Sequence, residues 1–239
     1  MKIALIGYGK MGKEIEQIIL HEGKHEVVLK IGEENLNEFT VENLKNADVA
    51  IEFTEPNAAF NNVKKCFEAN VPVVVGTTSW NTEEAVAMAQ KEGKSLFLSP
   101  NYSIGVNLFF ELNKKLNALM QPYSEYQMDM TEIHHTQKKD APSGTAIKLA
   151  QDLISLSNNS FESWALDTAS NSSEIAIKAM REEHVPGTHI VNYQSDIDAI
   201  EIKHTAFSRK GFAVGAVRAA EFLYGKKGIF GMKDLLGIG

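Results

Sequence analysis

Cysteine is nearly missing from the 239-residue chain. The single thiol, Cys66, allows no intrachain disulfide and excludes a metal centre built from several thiolates. Its neighbours Phe60, Val63 and Phe67 share a helical pattern, so a buried inert thiol is expected. No apolar run approaches the length of a membrane span. The N-terminal MKIALIG is too short for a signal peptide and runs straight into a glycine loop. A cytoplasmic protein with no membrane partner is expected. Positive charge is also scarce, with 24 Lys and Arg against 31 Asp and Glu and a net charge of −7. That balance speaks against a nucleic-acid surface, yet a few local donors can still hold a small anion. What is present, 44% hydrophobic and 23% charged residues, is the composition of a globular protein with room for two modest domains.

The first hundred residues read as a dinucleotide-binding half. Lys2–Ile6 is a short apolar run suited to a strand buried on both faces. Gly7, Tyr8, Gly9, Lys10, Met11 and Gly12 follow as G-x-G-x-x-G, and then comes a helix with Ile15, Ile18 and Ile19 on one face. Gly7 serves the tight turn, Gly9 lets backbone approach a pyrophosphate, and Gly12 lets helix and strand pack closely. The free amides at the helix start face the phosphate charge. A bare glycine turn is the bland alternative, and the strand-turn-helix context favours the cofactor. After the second run, EVVLKI, Glu33 stands where a partner for a ribose 2′-hydroxyl belongs, while nearby Lys30 suits a 2′-phosphate. NADH and NADPH both remain open at this point. Strands at Asp48–Thr54, Val71–Ser79 and Ser95–Ser103, alternating with helices, make a doubly wound parallel sheet. Their carboxyl ends place Phe53, then Gly76, Thr77 and Thr78, then Ser99, Pro100, Asn101 and Tyr102, along one binding edge.

The texture changes at Gly105. VNLFFELNKKLNALM reads as a long amphipathic helix and YQMDMTEIHH alternates as a strand. His134, His135, Lys138, Lys139 and Asp140 then lead into Pro142, Ser143, Gly144 and Thr145, a helix start with Ser143 or Thr145 as cap. The amides of Gly144 and Thr145 form an anion site, which suits a substrate carrying carboxylates. Taken alone, the two histidines read as an ordinary strand pair and the two lysines as solvated charge; the adjoining cap is what lifts the group above that. No third and fourth ligand falls at zinc spacing, so no metal is expected. Asp167–Ser173 reads as a loop.

These residues together are similar to the 4-hydroxy-tetrahydrodipicolinate reductase family, formerly called dihydrodipicolinate reductase, of the diaminopimelate route to lysine. The resemblance covers nearly the whole chain. It is carried by GYGKMG at 7–12, IEFTEP at 51–56, VGTT at 75–78, SPNYSIGVN at 99–107, EIHHTQKKDAPSGTA at 132–146, VPGTH at 185–189 and IKHTAFSRKGFAVGAVRAAEFL at 202–223. The 132–146 segment is the specific one; the glycine loop by itself is not. The resemblance implies a catalytic His134 and a proton-donating Lys138. It puts His135, Ser143, Gly144 and Thr145 on the substrate, and VGTT and SPNY on the nicotinamide side of an NADH or NADPH cofactor. It also implies an α/β fold: a Rossmann-type domain over residues 1–104 completed by 218–239, and a central α+β domain over 105–217. The latter would hold a small cyclic dicarboxylate and build a homotetramer. Hinge closure is expected near Ser103–Val106 and Val214–Arg218. Glu52 replaces the usual Asp of the family's D-F-T strand, Trp80 follows Gly-Thr-Thr-Ser, and the glycine loop is one residue shorter than in many members. Two rivals share the N-terminal half: another two-domain amino-acid dehydrogenase, and a non-catalytic NAD(P)-binding protein. The first would need a different central anion site, and the second has no use for a concentrated His/Lys cluster.

Overall fold

Short apolar runs become parallel strands wherever both of their faces are covered. That rule builds the first of two units into which the chain divides, Met1–Ile104 resumed from Lys210 onward, with Gly105–Arg209 as the second. The computed structural model describes residues 1–156 and 161–238. The first unit contains, in order, β1 (Lys2–Ile6), α1 (Lys10–Glu22), β2 (Glu26–Ile31), α2 (Val41–Leu44), β3 (Val49–Glu52), α3 (Pro56–Glu68), β4 (Val73–Val75), α4 (Glu83–Glu92) and β5 (Ser95–Leu98). The second holds α5 (Ile104–Met120), β6 (Gln127–His134), α6 (Gly144–Leu156), β7 (Ser163–Leu166), β8 (Glu174–Arg181), β9 (Gly187–Gln194) and β10 (Ala199–Ala206). The chain then completes the first unit with α7 (Lys210–Leu223), β11 (Gly228–Phe230) and α8 (Met232–Leu236).

The six-stranded sheet of the first unit runs β11-β5-β4-β3-β1-β2, all parallel. Strand order reverses at β1, between β2 and β3, and ligands of such sheets bind beyond the strand ends at a reversal of this kind. Two apolar layers sandwich the sheet: Ala4, Ile6, Val73, Val75 and Leu96 face one side, and Ile3, Leu5, Val49, Val74 and Phe97 face the other. Cys66 lies in the first layer, where burial pushes its thiol up, so an inert thiol is what the fold delivers. Strands β3, β4 and β5 stop sooner than their runs suggest, because Phe53-Thr54, Gly76–Ser79 and Ser99–Ser103 turn away as the loops of the sheet's carboxyl edge.

Helix α7 corrects one expectation. The return to the first unit comes at Lys210, not at 218, and the second unit ends at Arg209, not at 217. The reason is packing. Ala213, Ala216, Val217, Ala219 and Ala220 make one continuous buried stripe against the first sheet, and a helix cannot change partner midway along a single buried face. Gly215 belongs to that stripe; a Cβ there would fall 1.7 Å from the carbonyl oxygen of Tyr102.

The second unit has a five-stranded mixed sheet in the order β10-β9-β6-β8-β7. Met130, Ile175, Ile177, Val191 and Tyr193 pack beneath α5 and α6 through Phe109, Phe110, Leu149 and Leu153. Along β6 the buried side chains are Met130, Glu132 and His134, alternate residues on one face. The apolar face of the strand therefore ends in two polar side chains. Among the described residues no helix is long and apolar enough to cross a membrane.

Candidate active site

The glycine loop of the first unit is shaped by β3. Gly7 has φ +94, and a Cβ there would sit 2.0 Å from the carbonyl oxygen of Phe53, so both backbone conformation and contact demand glycine. The amides of Gly7 and Tyr8 both donate to the Ile31 carbonyl, at 2.9 and 2.8 Å, which pins the loop across β2. A Cβ on Gly12 would lie 2.4 Å from the Gly7 oxygen. Gly9 differs: it is exposed, a Cβ there would meet nothing within 4 Å, and it caps α1 without a side-chain hydrogen bond. Beyond it the first-turn amides, from Lys10 on, have no intrahelical acceptor. A cavity of about 470 Å³ opens here, lined by Gly7, Gly9, Gly32, Glu33, Glu34 and Phe53 among others. An open glycine, free helix amides and an adjacent acid-lined cavity fit the phosphate and ribose of a dinucleotide.

The charges around the loop are arranged in detail. The Tyr8 hydroxyl donates to Glu16, which raises the phenol and holds the Glu16 carboxyl low. Lys30 Nζ lies 3.2 Å from Glu16 Oε1 and 5.2 Å from the Tyr8 ring centre, so the cation near the ribose position is already partnered. Glu33 and Glu34 stay exposed at the cavity wall.

Other loops complete the strand-end edge. Buried Glu52 accepts from the Thr54 amide at 3.2 Å, from the Thr54 hydroxyl, and from Asn62 Nδ2 at 3.2 Å. The Thr54 amide also reaches Thr77 Oγ1 at 2.8 Å, which joins the loop after β3 to the loop after β4. One oxygen of this buried carboxylate thus holds a hydrogen-bonded node, while Oε2 is buried with no hydrogen-bond partner among the described residues. Gly76 is pressed against the Phe53 ring, Thr77 is buried, and Thr78 is exposed. The Ser99 hydroxyl donates to the Asn101 carbonyl at 2.7 Å and Asn101 Oδ1 accepts from the Ser103 amide at 2.9 Å, leaving Pro100 exposed. Two residues named for the cofactor turn inward instead. The Tyr102 ring is core, with its hydroxyl donating to the Val75 carbonyl at 2.6 Å. The Met11 side chain packs against the same core, so at both positions only backbone is offered to a ligand.

The second unit gathers the other site residues at the end of β6. Register puts His134 opposite Arg181 on β8, and Glu132 opposite His189 on β9. Glu132 is fully buried. Its Oε2 accepts the Ser143 amide at 2.9 Å and lies 3.7 Å from His134 Nδ1 and 3.9 Å from His189 Nε2. Its Oε1 faces Arg181 Nη1 at 3.5 Å. Arg181 also ties down the following loop, donating to the carbonyls of Asp140 at 2.7 Å and Lys138 at 3.3 Å. Lys138 Nζ pairs with Asp140 Oδ2 at 2.6 Å, and this holds the Asp140 carboxyl low. The Lys138 amide donates to the His135 carbonyl at 3.1 Å, closing the turn, and the His135 side chain is half-buried.

Helix α6 begins on this cluster. Ser143, not Thr145, is the cap: its Oγ accepts the Ala146 amide at 3.2 Å and meets His189 Nε2 at 3.1 Å. Its hydroxyl is therefore committed inside the protein. Gly144 is exposed, with open space where a Cβ would be, so the Gly144 and Thr145 amides are approachable by an anion. Burial drives the titration of the histidines. His134 is lowered by desolvation, which Glu132 opposes and Lys138, Arg181 and His135 reinforce. Burial, helped by the charges of His134, His204 and Lys138, pushes His189 down to about 3.

Glu132, Arg181 and His189 were missed as site residues by sequence reasoning, although two of them lie in the quoted motifs EIHH and VPGTH. Their signal was the presence of a charged residue and a histidine inside alternating strands. Among the described residues Glu132, His134 and His189 form the group of possible metal-ligand side chains with ligand atoms within 4.8 Å of one another, so the third member that sequence spacing lacked is supplied by β9. The carboxylate of this group already accepts the Ser143 amide and faces the Arg181 guanidinium.

Comparison with known proteins agrees with both units. The family description "Dihydrodipicolinate reductase, N-terminus" matches residues 1–102, and its C-terminal counterpart matches 105–236. A 4-hydroxy-tetrahydrodipicolinate reductase of Christiangramia forsetii is 50% identical over 242 residues, covering 99% of this chain and 98% of the relative. One from Methanosarcina barkeri is 40% identical over 198 residues, or 80% and 74% of the two chains. Among solved structures, the dipicolinate-bound dihydrodipicolinate reductase of Paenisporosarcina sp. TG-14 superposes with a TM-score of 0.78 at 22% identity, covering 97% of each chain.

Proposed function

Since the chain belongs to the dihydrodipicolinate reductase family and is an NADH- or NADPH-dependent 4-hydroxy-tetrahydrodipicolinate reductase, we propose that Lys138 and His134 move the proton of its reaction. The substrate class is a cyclic dicarboxylate, such as the relative from Paenisporosarcina carries. The observation that supports this reading most is the meeting of His134, Lys138 and the open cap at Gly144 in one cluster.

The reduced nicotinamide, when bound, supplies the hydride that reduces the conjugated imine ring of the dehydrated substrate. The chain's own groups do the rest. The Gly144 and Thr145 amides hold one ring carboxylate, with His135 beside them, and fix the ring for attack. Ser143 acts through its hydroxyl oxygen as the cap that aims those amides. Lys138 Nζ leaves Asp140 to give its proton to the ring as negative charge develops there. His134, neutral at neutral pH because burial lowers it, accepts and returns protons beside Lys138. In the first unit, Gly9 and the α1 amides hold the pyrophosphate. The Gly76–Thr78 and Ser99–Asn101 loops serve the nicotinamide end. A cytoplasmic location and a homotetramer assembled through the second unit follow from the same reading.

The test is the Lys138→Ala variant, assayed by oxidation of NADH or NADPH with freshly made pathway substrate. Loss of a positioned acid costs about 10²–10⁴-fold in kcat, with cofactor affinity unchanged. Near-normal turnover would sink the assignment. Tight cofactor binding with no turnover by the unaltered protein would favour a silent dinucleotide-binding protein instead.

A further inference from the structure

We propose that Glu132 is a positioning residue that organises both halves of the substrate site from one buried carboxylate. One oxygen anchors the cap through the Ser143 amide and turns the His134 ring through Nδ1. This deepens the reading of His134 as a proton-handling group and rests on it.

The argument starts from cost. A buried carboxylate is expensive unless charge and hydrogen bonds compensate it. Glu132 has no exposure, yet only the Ser143 amide lies within hydrogen-bond distance of Oε2. The compensating groups are grouped around it from every neighbouring element. Arg181 of β8 faces Oε1, His134 of β6 and His189 of β9 face Oε2, and Lys138 follows on the adjoining loop with Asp140 as its partner. His134 Nδ1 is itself buried with no hydrogen-bond partner among the described residues. Oε2 is the carboxylate oxygen 3.7 Å away, the nearest negative charge given for that nitrogen. Its attraction favours the proton on Nδ1 and leaves Nε2 as the working atom, because the partner of one ring nitrogen decides the state of the other.

The opposite side of the ring is also shaped for it. A Cβ on Gly187 of β9 would sit 3.1 Å from His134 Nε2 and 3.3 Å from Cδ2, so the ring lies on a bare stretch of backbone. The ring is thus set between the Glu132 carboxylate and the Gly187 backbone. The carboxylate opposes the desolvation that lowers His134, and removing its charge must lower His134 further.

Glu132→Gln separates the two roles, because the amide oxygen can still accept from Ser143 while the charge is gone. In the wild type and the variant, His134 is titrated by NMR of the isotope-labelled protein, and the pH profile of kcat is measured alongside. The expected result is a lower His134 midpoint in the variant, because the charge that opposes its desolvation is gone. The limb of the profile due to His134 should move by the same amount, with substrate KM within about twofold. An unchanged midpoint and limb would overturn the proposal, as would a loss confined to KM. If Glu132→Gln does not fold, Gly187→Ala displaces the ring while sparing the carboxylate. It should lower kcat at least about tenfold with the His134 midpoint altered, and normal kcat there would overturn the proposal as well. The titration needs no turnover, so an inactive wild-type protein would defeat the functional reading without touching this test.

Discussion

At the scale of single residues, the choice between the two nicotinamide cofactors comes down to the side chains around Lys30. NADPH differs from NADH by a 2′-phosphate, which needs a free cation and suffers beside carboxylates. Lys30 is the cation at hand, but Glu16 holds it at 3.2 Å and the Tyr8 ring lies beneath it. Glu33 and Glu34 line the cavity with negative charge. The expected preference is therefore for NADH, by about tenfold in KM, corresponding to roughly 1.4 kcal/mol. Steady-state kinetics with both cofactors check it, and Glu33→Gln should narrow the gap by improving NADPH. A wild-type preference for NADPH would refute the argument. Sequence order showed both Glu33 and Lys30 near the ribose; only the contact with Glu16 decides between them.

At the scale of elements, α6 depends on how it starts. Ser143 supplies the cap bond to the Ala146 amide and a partner for His189, both in a buried setting. Ser143→Ala should cost about 0.5–2 kcal/mol through the lost cap, seen as a lower denaturation midpoint. It should also raise substrate KM, because the Gly144 and Thr145 amides are no longer aimed. Cofactor affinity, measured by fluorescence titration, should stay the same, and a change there would count against a role confined to the second unit. This helix was legible in the sequence, since a cap, a glycine and a 3.6-residue apolar period are local signals. So were β1 and β3 to β5, whose runs are buried on both faces, and β2, whose apolar run is half-buried at the sheet edge. The sheet β7 to β10 was not. Its strands alternate weakly, as in β10, where exposed and half-buried side chains mix. Its pairing depends on residues far apart in the chain, with β6 taking β8 on one side and β9 on the other. That pairing brings Glu132, Arg181 and His189 together, so the centre of the candidate site was hidden while its rim, from His134 to Thr145, could be read directly.

At the scale of the whole molecule, the two units should answer acid differently. The acid-side shifts of the second unit include histidines: buried His189, lowered to about 3, with buried His134 and half-buried His204 also lowered. A histidine depressed in the folded state binds its proton first in the unfolded chain. The stability it contributes is full above the unfolded value of 6.5 and drains as pH falls toward the folded value. In the first unit the acid-side shifts are lowered carboxyls, Glu16 and Glu221, whose contribution is full above 4.5 and lost only below it. Between these two values the second unit should weaken first. By pH 5 the His189 linkage alone amounts to about 2 kcal/mol, or a shift of about 1 M in a urea midpoint. The chain has 2 tryptophans, Trp80 in the first unit and Trp164 against the core of the second. Urea titrations of Trp164→Phe and Trp80→Phe at pH 7 and pH 5 therefore report each unit in turn. The Trp164 signal should move to lower urea on acidification and the Trp80 signal should hold, with His189→Gln shrinking the movement. Equal shifts at both tryptophans would mean that the buried histidines do not control acid stability.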